Sequence, residues 1–302
     1  MFKSLTIISL LTTAALAQSS SGTPAPAPSS TTNPYIPSGI SKGCTDFLTA
    51  LDGDKTLTAC TSALTTATAG YAPSGNGTTS SSTAQIESSL NTLCSAPTAS
   101  SCPESLIRGK IADFYSACSV ELTSSPNADV VRTYDIIYAT LPLKNAICSK
   151  DDGGNYCVTQ VKLPSGTSKN LVAGSSGQSP LVPDMAAYRK ANLAFLFLTP
   201  SLEATELCTA CTRNVLTSYI NFESNVPYAP GLAKSTILDS QSALYTGVQN
   251  TCGKNFLSGA VQAAGGLSGG TFPSSGALHN HSGSQGILAA GMSLLAVIIS
   301  VL

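Results

Sequence analysis

One five-residue segment has the spacing of a hydrolase nucleophile. Residues 266–270 read G-x-S-x-G, the motif that presents a serine on a strained strand-to-helix turn in α/β-hydrolases. Such a serine needs a histidine as its base. The two histidines of the chain, His279 and His281, fall in a segment that we expect to be removed during maturation. We therefore do not expect hydrolase chemistry at Ser268.

Cysteine is the second residue type whose spacing suggests chemistry. Cys208 and Cys211 have the C-x-x-C spacing of redox enzymes. The number of cysteines is even, however, which in a secreted chain predicts up to five structural disulfides. Sequence does not define the connectivity, and Cys148 with Cys157 is the first pair that we expect. The disulfide candidates are Cys44, Cys60, Cys94, Cys102, Cys118, Cys148, Cys157, Cys208, Cys211 and Cys252.

Pairs of carboxylates could act as acid and base on a glycosidic bond. The candidates are Asp113 with Glu121, or Asp135 with a neighbour in space. Sixteen acidic residues make chance pairs unavoidable, and the chain has no Trp on which a sugar ring would stack. A glycan-active enzyme is therefore an alternative rather than the expectation.

Oxygen ligands for a metal ion occur together in residues 151–155, which read DDGGN. This segment lacks the D-x-D-x-D-G spacing and distal Glu of a calcium loop, so a polar turn is favoured. Zinc needs imidazole or free thiolate, and we expect neither in the mature protein. We therefore expect no metal and no cofactor.

Aromatic residues at helical spacing suggest a further alternative, a pocket for a sterol or acyl chain. Its lining would include Tyr134, Tyr138, Phe195 and Phe197. Rings with this spacing are far more often part of an ordinary core. A lipid-binding role is therefore a second alternative.

Residues 1–17 predict a signal peptide. They combine a basic start, an apolar run and the A-x-A cleavage pattern at residues 15–17. Residues 287–302 form a second apolar run, which has no charge and no flanking Lys or Arg. The alternative interpretations are an N-terminal membrane anchor for the first run and a C-terminal tail anchor for the second.

The second apolar run predicts a glycosylphosphatidylinositol (GPI) anchor. It follows a polar spacer at residues 278–286 and the small residues 274–277, which is the order of a GPI signal. Ser275 is the predicted attachment residue, followed by Ser274 and then Asn280. Residues 276–302 would be the removed propeptide.

Composition divides the remaining chain into three parts. Residues 18–43 are a Ser/Thr/Pro-rich leader predicted to be disordered, residues 44–252 contain all the cysteines, and residues 253–275 form a Gly/Ser-rich stalk. Asn76 begins a glycosylation sequon in a Ser/Thr-rich loop. The formal net charge is −1, so no basic field exists to attract nucleic acid.

Apolar periodicity predicts a mainly α-helical, disulfide-stapled domain with one small β-hairpin. Two short helices are expected at residues 44–51 and 55–67, and longer ones follow within 104–122 and from Val130 to Pro142, which would end or kink its helix. Turn residues between β-prone flanks predict the hairpin at 146–161. Residues 186–197 fit either a buried helix or a buried strand. Further helices are predicted from Pro200 to Phe222 and from Thr236 to Cys252.

Several segments of the cysteine-rich part resemble a fungal, basidiomycete-type family of GPI-anchored cell-surface proteins with a cysteine-rich domain of unknown function. The resemblance extends over most of residues 44–270, and it implies a fungal surface protein without supplying catalytic residues. The segments that carry it are Cys44–Leu48, Phe114–Cys118, Pro142–Cys148, Ala194–Pro200, Cys208–Leu216 and Gln241–Tyr245.

These observations predict a non-catalytic glycoprotein, attached by GPI to the outer face of a fungal plasma membrane or associated with the cell wall. Its role would be structural or one of interaction, with wall glycan or a lipid as conceivable ligands and no nucleic-acid partner. We do not expect an enzyme, because the mature segment has no histidine base.

Overall fold

The computed structural model describes residues 36–69, 83–160 and 189–257, together with the backbone of residues 172–173 and 182–183. All of these residues belong to one compact unit, Pro34–Leu302. The predicted signal peptide, Asn76, Ser268, Ser274 and Ser275 lie outside the described residues.

The described residues are mainly α-helical, as predicted. The first part contains α1 (Lys42–Asp52), α2 (Lys55–Thr68), α3 (Thr83–Leu93), α4 (Ala96–Ser101), α5 (Glu104–Ser119), a π-helical turn (Val120–Ser124) and α6 (Ala128–Cys148). The second part contains 3-10 turns at Cys157–Thr159, Leu193–Phe195 and Leu232–Lys234, and the helices α7 (Ala204–Leu207), α8 (Ala210–Asn225) and α9 (Gln241–Cys252). None of the described helices is long and apolar enough to cross a membrane.

The two short helices predicted at the start are confirmed as α1 and α2. Asp54 ends the turn between them and caps α2, because its carboxylate accepts hydrogen bonds from the N–H groups of Thr56 and Leu57. Lys110 of α5 forms an ion pair with the same carboxylate. The beginning of α2 is thereby joined to α5.

Helix α6 lies at the centre of the core. Side chains on nearly every face of this helix are buried, and it packs against α3, α5 and α8. A helix that is apolar all round must lie in the interior. Of the two effects predicted for Pro142, an end of the helix is wrong, because α6 continues through Pro142 to Cys148. Packing on all sides and a disulfide at Cys148 offset the hydrogen bond that proline cannot donate.

The apolar stripes predicted on α5 and α8 are confirmed, although the helix boundaries differ. The backbone leaves helical geometry at Cys118 and continues as a π-helical turn. The residues whose helical spacing predicts the stripe of α5 are nevertheless all buried: Ile107, Ile111, Phe114, Cys118 and Leu122. The predicted helix from Pro200 to Phe222 is divided into α7 and α8. The division falls at Thr209, whose hydroxyl caps α8 by accepting from the N–H of Thr212.

Residues 192–198 form neither the helix nor the strand that periodicity allowed. They make a buried 3-10 turn in which Asn192, Leu196 and Phe197 have left-handed backbone, with φ of 52°, 51° and 65°. The Asn192 side chain donates to the carbonyl of Leu198, and the hydroxyl of Tyr219 donates to that of Ala194. These side chains satisfy buried carbonyls that a helix or a sheet would otherwise pair.

The predicted hairpin at residues 146–161 is wrong. Helix α6 includes Cys148, and Cys157 begins a 3-10 turn, so within the described residues 146–160 the only β pairing is one isolated bridge between Lys150 and Tyr156. Burial of the apolar side chains of α6 outweighs the β propensity of residues 146–148. Elsewhere, the two-residue strands β1 (Val172–Ala173) and β2 (Val182–Pro183) pair antiparallel.

Candidate functional site

All ten cysteines are paired in disulfides, as the composition predicted. The expected bridge between Cys148 and Cys157 is wrong. Cys148 ends α6 beside the end of α3, whereas Cys157 faces α8, so each bonds to a distant helix. The bridges are Cys44–Cys118, Cys60–Cys102, Cys94–Cys148, Cys157–Cys211 and Cys208–Cys252.

The C-x-x-C segment contains no dithiol. Cys208 bonds to Cys252 at the end of α9, and Cys211 bonds to Cys157. Since both sulfurs are already used in separate bridges, this spacing has a structural role here.

The five bridges form two separate sets. Three of them join residues within 44–148, and the other two join residues within 157–252. No bridge between described residues links the two sets. Apart from the polypeptide itself, the most extensive contact between the described parts of the two halves is the packing of α6 against α8.

Asp135 is the first buried carboxylate at this contact. It lies on α6 with no exposed surface, and its oxygens accept hydrogen bonds from the Tyr228 hydroxyl at 2.6 Å and from the hydroxyl and N–H of Thr236 at 2.7 and 2.5 Å. Burial raises the pKa of Asp135, and these hydrogen bonds only partly oppose the effect. Asp135 thus ties the segment before α9 to the central helix. Thr236 donates to Asp135 from a segment that precedes the helix. Helix α9 therefore begins at Gln241 and not at Thr236 as predicted.

Glu223 is a second carboxylate at this contact, and it is partly buried. It lies on α8, and its Oε2 accepts a hydrogen bond of 2.5 Å from the Gln241 amide of α9. The same amide donates to the hydroxyl of Tyr245 at 2.8 Å. Burial raises the pKa of Glu223 to about 7, although the bond from Gln241 lowers it.

Aromatic rings fill the space around these two carboxylates. Tyr138 packs edge-on against Phe222 and Tyr228 with ring centroids 5.2 and 5.0 Å apart, and Tyr134 packs on Tyr228 at 5.4 Å. Phe195 packs against Tyr219 at 4.6 Å. The residues proposed for a lipid pocket, Tyr134, Tyr138, Phe195 and Phe197, are fully buried in this core.

Two surface concavities are prominent among the described residues, and both are open to solvent. The larger has a volume of about 600 Å³ and the other about 580 Å³. Neither is lined by the aromatic residues considered for lipid, nor by Asp113, Glu121 or Asp135. Their linings are Pro200, Ser242, Ala243, Thr246, Gly247, Asn250 and Thr251 for the first, and Ala84, Glu87, Ser88, Asn91, Thr92 and Ser95 for the second.

The carboxylates considered for glycoside chemistry occupy different environments. Asp113 is exposed on α5, whereas Glu121 is buried and accepts a hydrogen bond of 2.6 Å from the N–H of Ser41. Burial is the largest single influence and raises the pKa of Glu121, but the hydrogen bonds from Ser41 and from the backbone of Glu121 together outweigh it, so the net shift is downward. Glu121 therefore serves as an anionic partner at the beginning of α1.

The acidic segment at residues 151–155 forms a polar turn, as favoured. Oδ1 of Asp151 accepts hydrogen bonds from the N–H groups of Gly153 and Asn155 at 2.9 and 2.8 Å, and Gln160 donates to its Oδ2 at 3.1 Å. Gly154 has the left-handed φ of 81° that such a turn requires. Within the described residues, no group of three or more His, Cys, Asp or Glu side chains is placed to hold a metal ion.

Sequence reasoning missed the partly buried Glu223 and the buried Gln241. Glu223 follows Phe222 and lies four residues after Tyr219, which places it beside the apolar stripe of α8. A carboxylate next to an inward-facing stripe is the signal that could have identified it. Gln241 offered no such signal, because the beginning of α9 was placed too early.

No family model, curated protein or solved structure matches this chain.

Proposed function

We propose that this chain is a fungal GPI-anchored surface glycoprotein whose cysteine-rich helical domain has a structural or interaction role and no catalytic one. The pairing of all ten cysteines carries the proposal. Disulfides persist in oxidising compartments and are rare in the cytosol. A domain that uses every cysteine in this way suits the extracellular face of the plasma membrane or the cell wall.

The surface composition of the domain supports this placement. Val120 is the only large hydrophobic side chain that is strongly exposed among the described residues, and charged residues make up only 10% of the chain. Hydroxyl groups of Ser and Thr take their place on the helices. Such a surface is compatible with a glycoprotein that sugars keep soluble.

The segment order at residues 274–302 supports the lipid anchor. Small residues, a polar spacer and an uncharged apolar run follow one another, which is the arrangement that a GPI transamidase recognises. Ser275 is the proposed attachment residue and Ser274 the next candidate. The resemblance to fungal GPI-anchored surface proteins suggests the same location at the cell surface.

A non-catalytic role is supported by how the candidate chemical groups are used. Asp135 and Glu121 are engaged with backbone N–H groups, and Cys208 and Cys211 are in disulfides. Each of these groups therefore has a structural partner.

Release by phosphatidylinositol-specific phospholipase C tests the anchor. The full chain is expressed in a fungal host, and intact cells are treated with the enzyme. We expect release into the medium, or recovery from the wall fraction after glucanase digestion. A chain that stays in the membrane and is absent from wall glycan would contradict the proposal.

Matched variants locate the attachment residue. Replacing both Ser274 and Ser275 by Leu should abolish the phospholipase-sensitive fraction, since only small residues are accepted at this site. Ser284→Leu, in the polar spacer, is the control and should leave release unchanged. Equal release from the double variant and the control would contradict attachment at these serines.

A further inference from the structure

Glu223 lies where three helices meet. Its own helix is α8, Gln241 and Tyr245 approach from α9, and its charge interacts with Tyr138 of α6. The charge of Glu223 also contributes to the raised pKa values of Tyr219 and Tyr245. No described Lys or Arg forms an ion pair with Glu223, so the titratable groups that face it are the three tyrosines.

Two oxygen atoms at this site, one on Glu223 and one on Gln241, have no hydrogen-bond donor. Gln241 uses its amide nitrogen for Oε2 of Glu223 and for the Tyr245 hydroxyl. Oε1 of Glu223 and Oε1 of Gln241 are both shielded from solvent and have no donor. Leaving two buried acceptors unsatisfied is costly, and for an ionised carboxylate the cost is greatest.

One proton on Oε1 of Glu223 would supply a donor to this pair of oxygens. It turns a carboxylate that can only accept into an acid that can also donate, and the nearby Gln241 amide has a free oxygen to receive that bond. Carboxylic acid and amide then complement each other, each giving one hydrogen bond and receiving one.

We propose that Glu223 is protonated in the folded protein and that, with Gln241 and Tyr245, it forms a proton-dependent latch that holds α9 against α8. Loss of the proton leaves a negative charge on Glu223 beside the unpaired oxygen of Gln241, and the latch loosens. The disulfide between Cys208 and Cys252 keeps the end of α9 attached, so loosening opens this region without releasing the helix.

The titration range supports this latch. Burial raises the pKa of Glu223 from 4.5 to about 7, so the group binds a proton more tightly in the closed state than in the open one. The closed state is therefore favoured below neutral pH and becomes less favoured as pH rises towards 7. Burial also raises the pKa of Tyr138, Tyr219 and Tyr245, so these three keep their protons throughout this range.

A carbon-13 NMR titration of the intact protein, labelled at glutamate side chains, tests the protonation directly. The resonance of Glu223 is assigned as the one that is absent from Glu223→Gln. We expect its midpoint near pH 7. A midpoint below about pH 5, in the range of ordinary glutamates, would overturn the proposal. This measurement needs the variant only for assignment.

Hydrogen exchange of the α9 amides tests the latch itself. After correction for chemical exchange, opening should increase roughly 30-fold between about pH 5.5 and pH 8 if Glu223 ionises with the cited pKa. Glu223→Gln supplies the missing donor at every pH, so its opening should change less than about three-fold. Glu203→Gln, at an exposed position, is the control and should behave as the parent protein. Equal pH dependence in Glu223→Gln and the parent would overturn the latch.

Discussion

At the scale of single residues, Asp135 is the clearest link between the central helix and the second half of the domain. Its two oxygens receive three hydrogen bonds from Tyr228 and Thr236. The Tyr228 ring also packs on Tyr134 and Tyr138. One side chain thereby fixes both the position of α6 and the course of the chain before α9.

Replacing Asp135 by Asn should lower the free energy of unfolding by about 2–4 kcal/mol, because an amide nitrogen would replace one acceptor in front of the Thr236 or Tyr228 donors. Asp113→Asn, at an exposed position of α5, is the matched control and should change it by less than about 0.5 kcal/mol. Urea denaturation followed by circular dichroism measures the free energy of unfolding of each variant. Equal stabilities of the two variants would contradict the role of Asp135.

The sequence could identify Asp135 as unusual but not its partners. It falls beside Tyr134 on a strongly apolar helix, and it was considered for acid–base chemistry only with an unspecified neighbour in space. Tyr228 and Thr236 lie 93 and 101 residues away, and no local pattern indicates that they approach. Glu223 was missed for a related reason, since its burial depends on the packing of α9.

At the scale of elements, the close contact between α9 and the turn at Pro200 depends on one glycine. A Cβ atom at Gly247 would lie 2.6 Å from Cβ of Pro200 and 2.9 Å from its Cα. Backbone and a proline ring cannot move aside easily. Gly247 is therefore required for this helix to reach its position.

We expect Gly247→Ala to lower the free energy of unfolding by about 1–3 kcal/mol through overpacking. Gly109→Ala is the control, because nothing lies within 4 Å of a Cβ atom at this position of α5. That variant should raise the free energy of unfolding by about 0.5–1 kcal/mol through better helix propensity. Thermal unfolding of the two variants side by side checks this; a destabilised Gly109→Ala together with an unaffected Gly247→Ala would contradict the packing.

Periodicity predicted the elements that bury one face and failed where long-range contacts decide. The stripes on α5 and α8 follow the helical period, so they could be read directly. The hairpin at 146–161 was wrong because the buried length of α6 extends through its first flank. Residues 192–198 could not be assigned, since side-chain contacts from Asn192 and Tyr219 hold their left-handed backbone.

At the scale of the whole molecule, the titrating groups predict a stability maximum at acid pH. The Lys110 ammonium holds the pKa of Asp54 well below its usual range, so Asp54 stabilises the fold above the ordinary Asp pKa and less as pH falls. The raised pKa values of Glu223 and Asp135 act in the opposite sense, and stability falls as pH rises.

The free energy of unfolding should therefore be highest near about pH 4, between the loss from Asp54 at lower pH and the losses from Glu223 and Asp135 at higher pH. The ionisation of Glu223 alone would lower the free energy of unfolding by at most about 3 kcal/mol between pH 4.5 and 7. Urea denaturation at a series of pH values measures the profile. A stability that rises steadily from about pH 5 to pH 8 would contradict the assignment of these raised pKa values.

The disulfide framework shows what composition can and cannot provide. Ten cysteines indicated five bridges, and five are present. Their connectivity depends on which helix ends meet, as Cys94 and Cys148 do, and many pairings fit the same spacing. The mainly helical class could be predicted, whereas the division into two bridged halves could not.

Mass spectrometry of the mature protein tests the central claim most directly, because it reads both ends of the chain and the bridges in one digest without reduction. We expect a final peptide that ends at Ser275 or Ser274 and carries the ethanolamine phosphate of a GPI glycan, together with peptides that are joined by the five disulfides. Recovery of a peptide that contains residues 287–302 would contradict the surface anchor, and free thiols at the ten cysteines would contradict the extracellular domain.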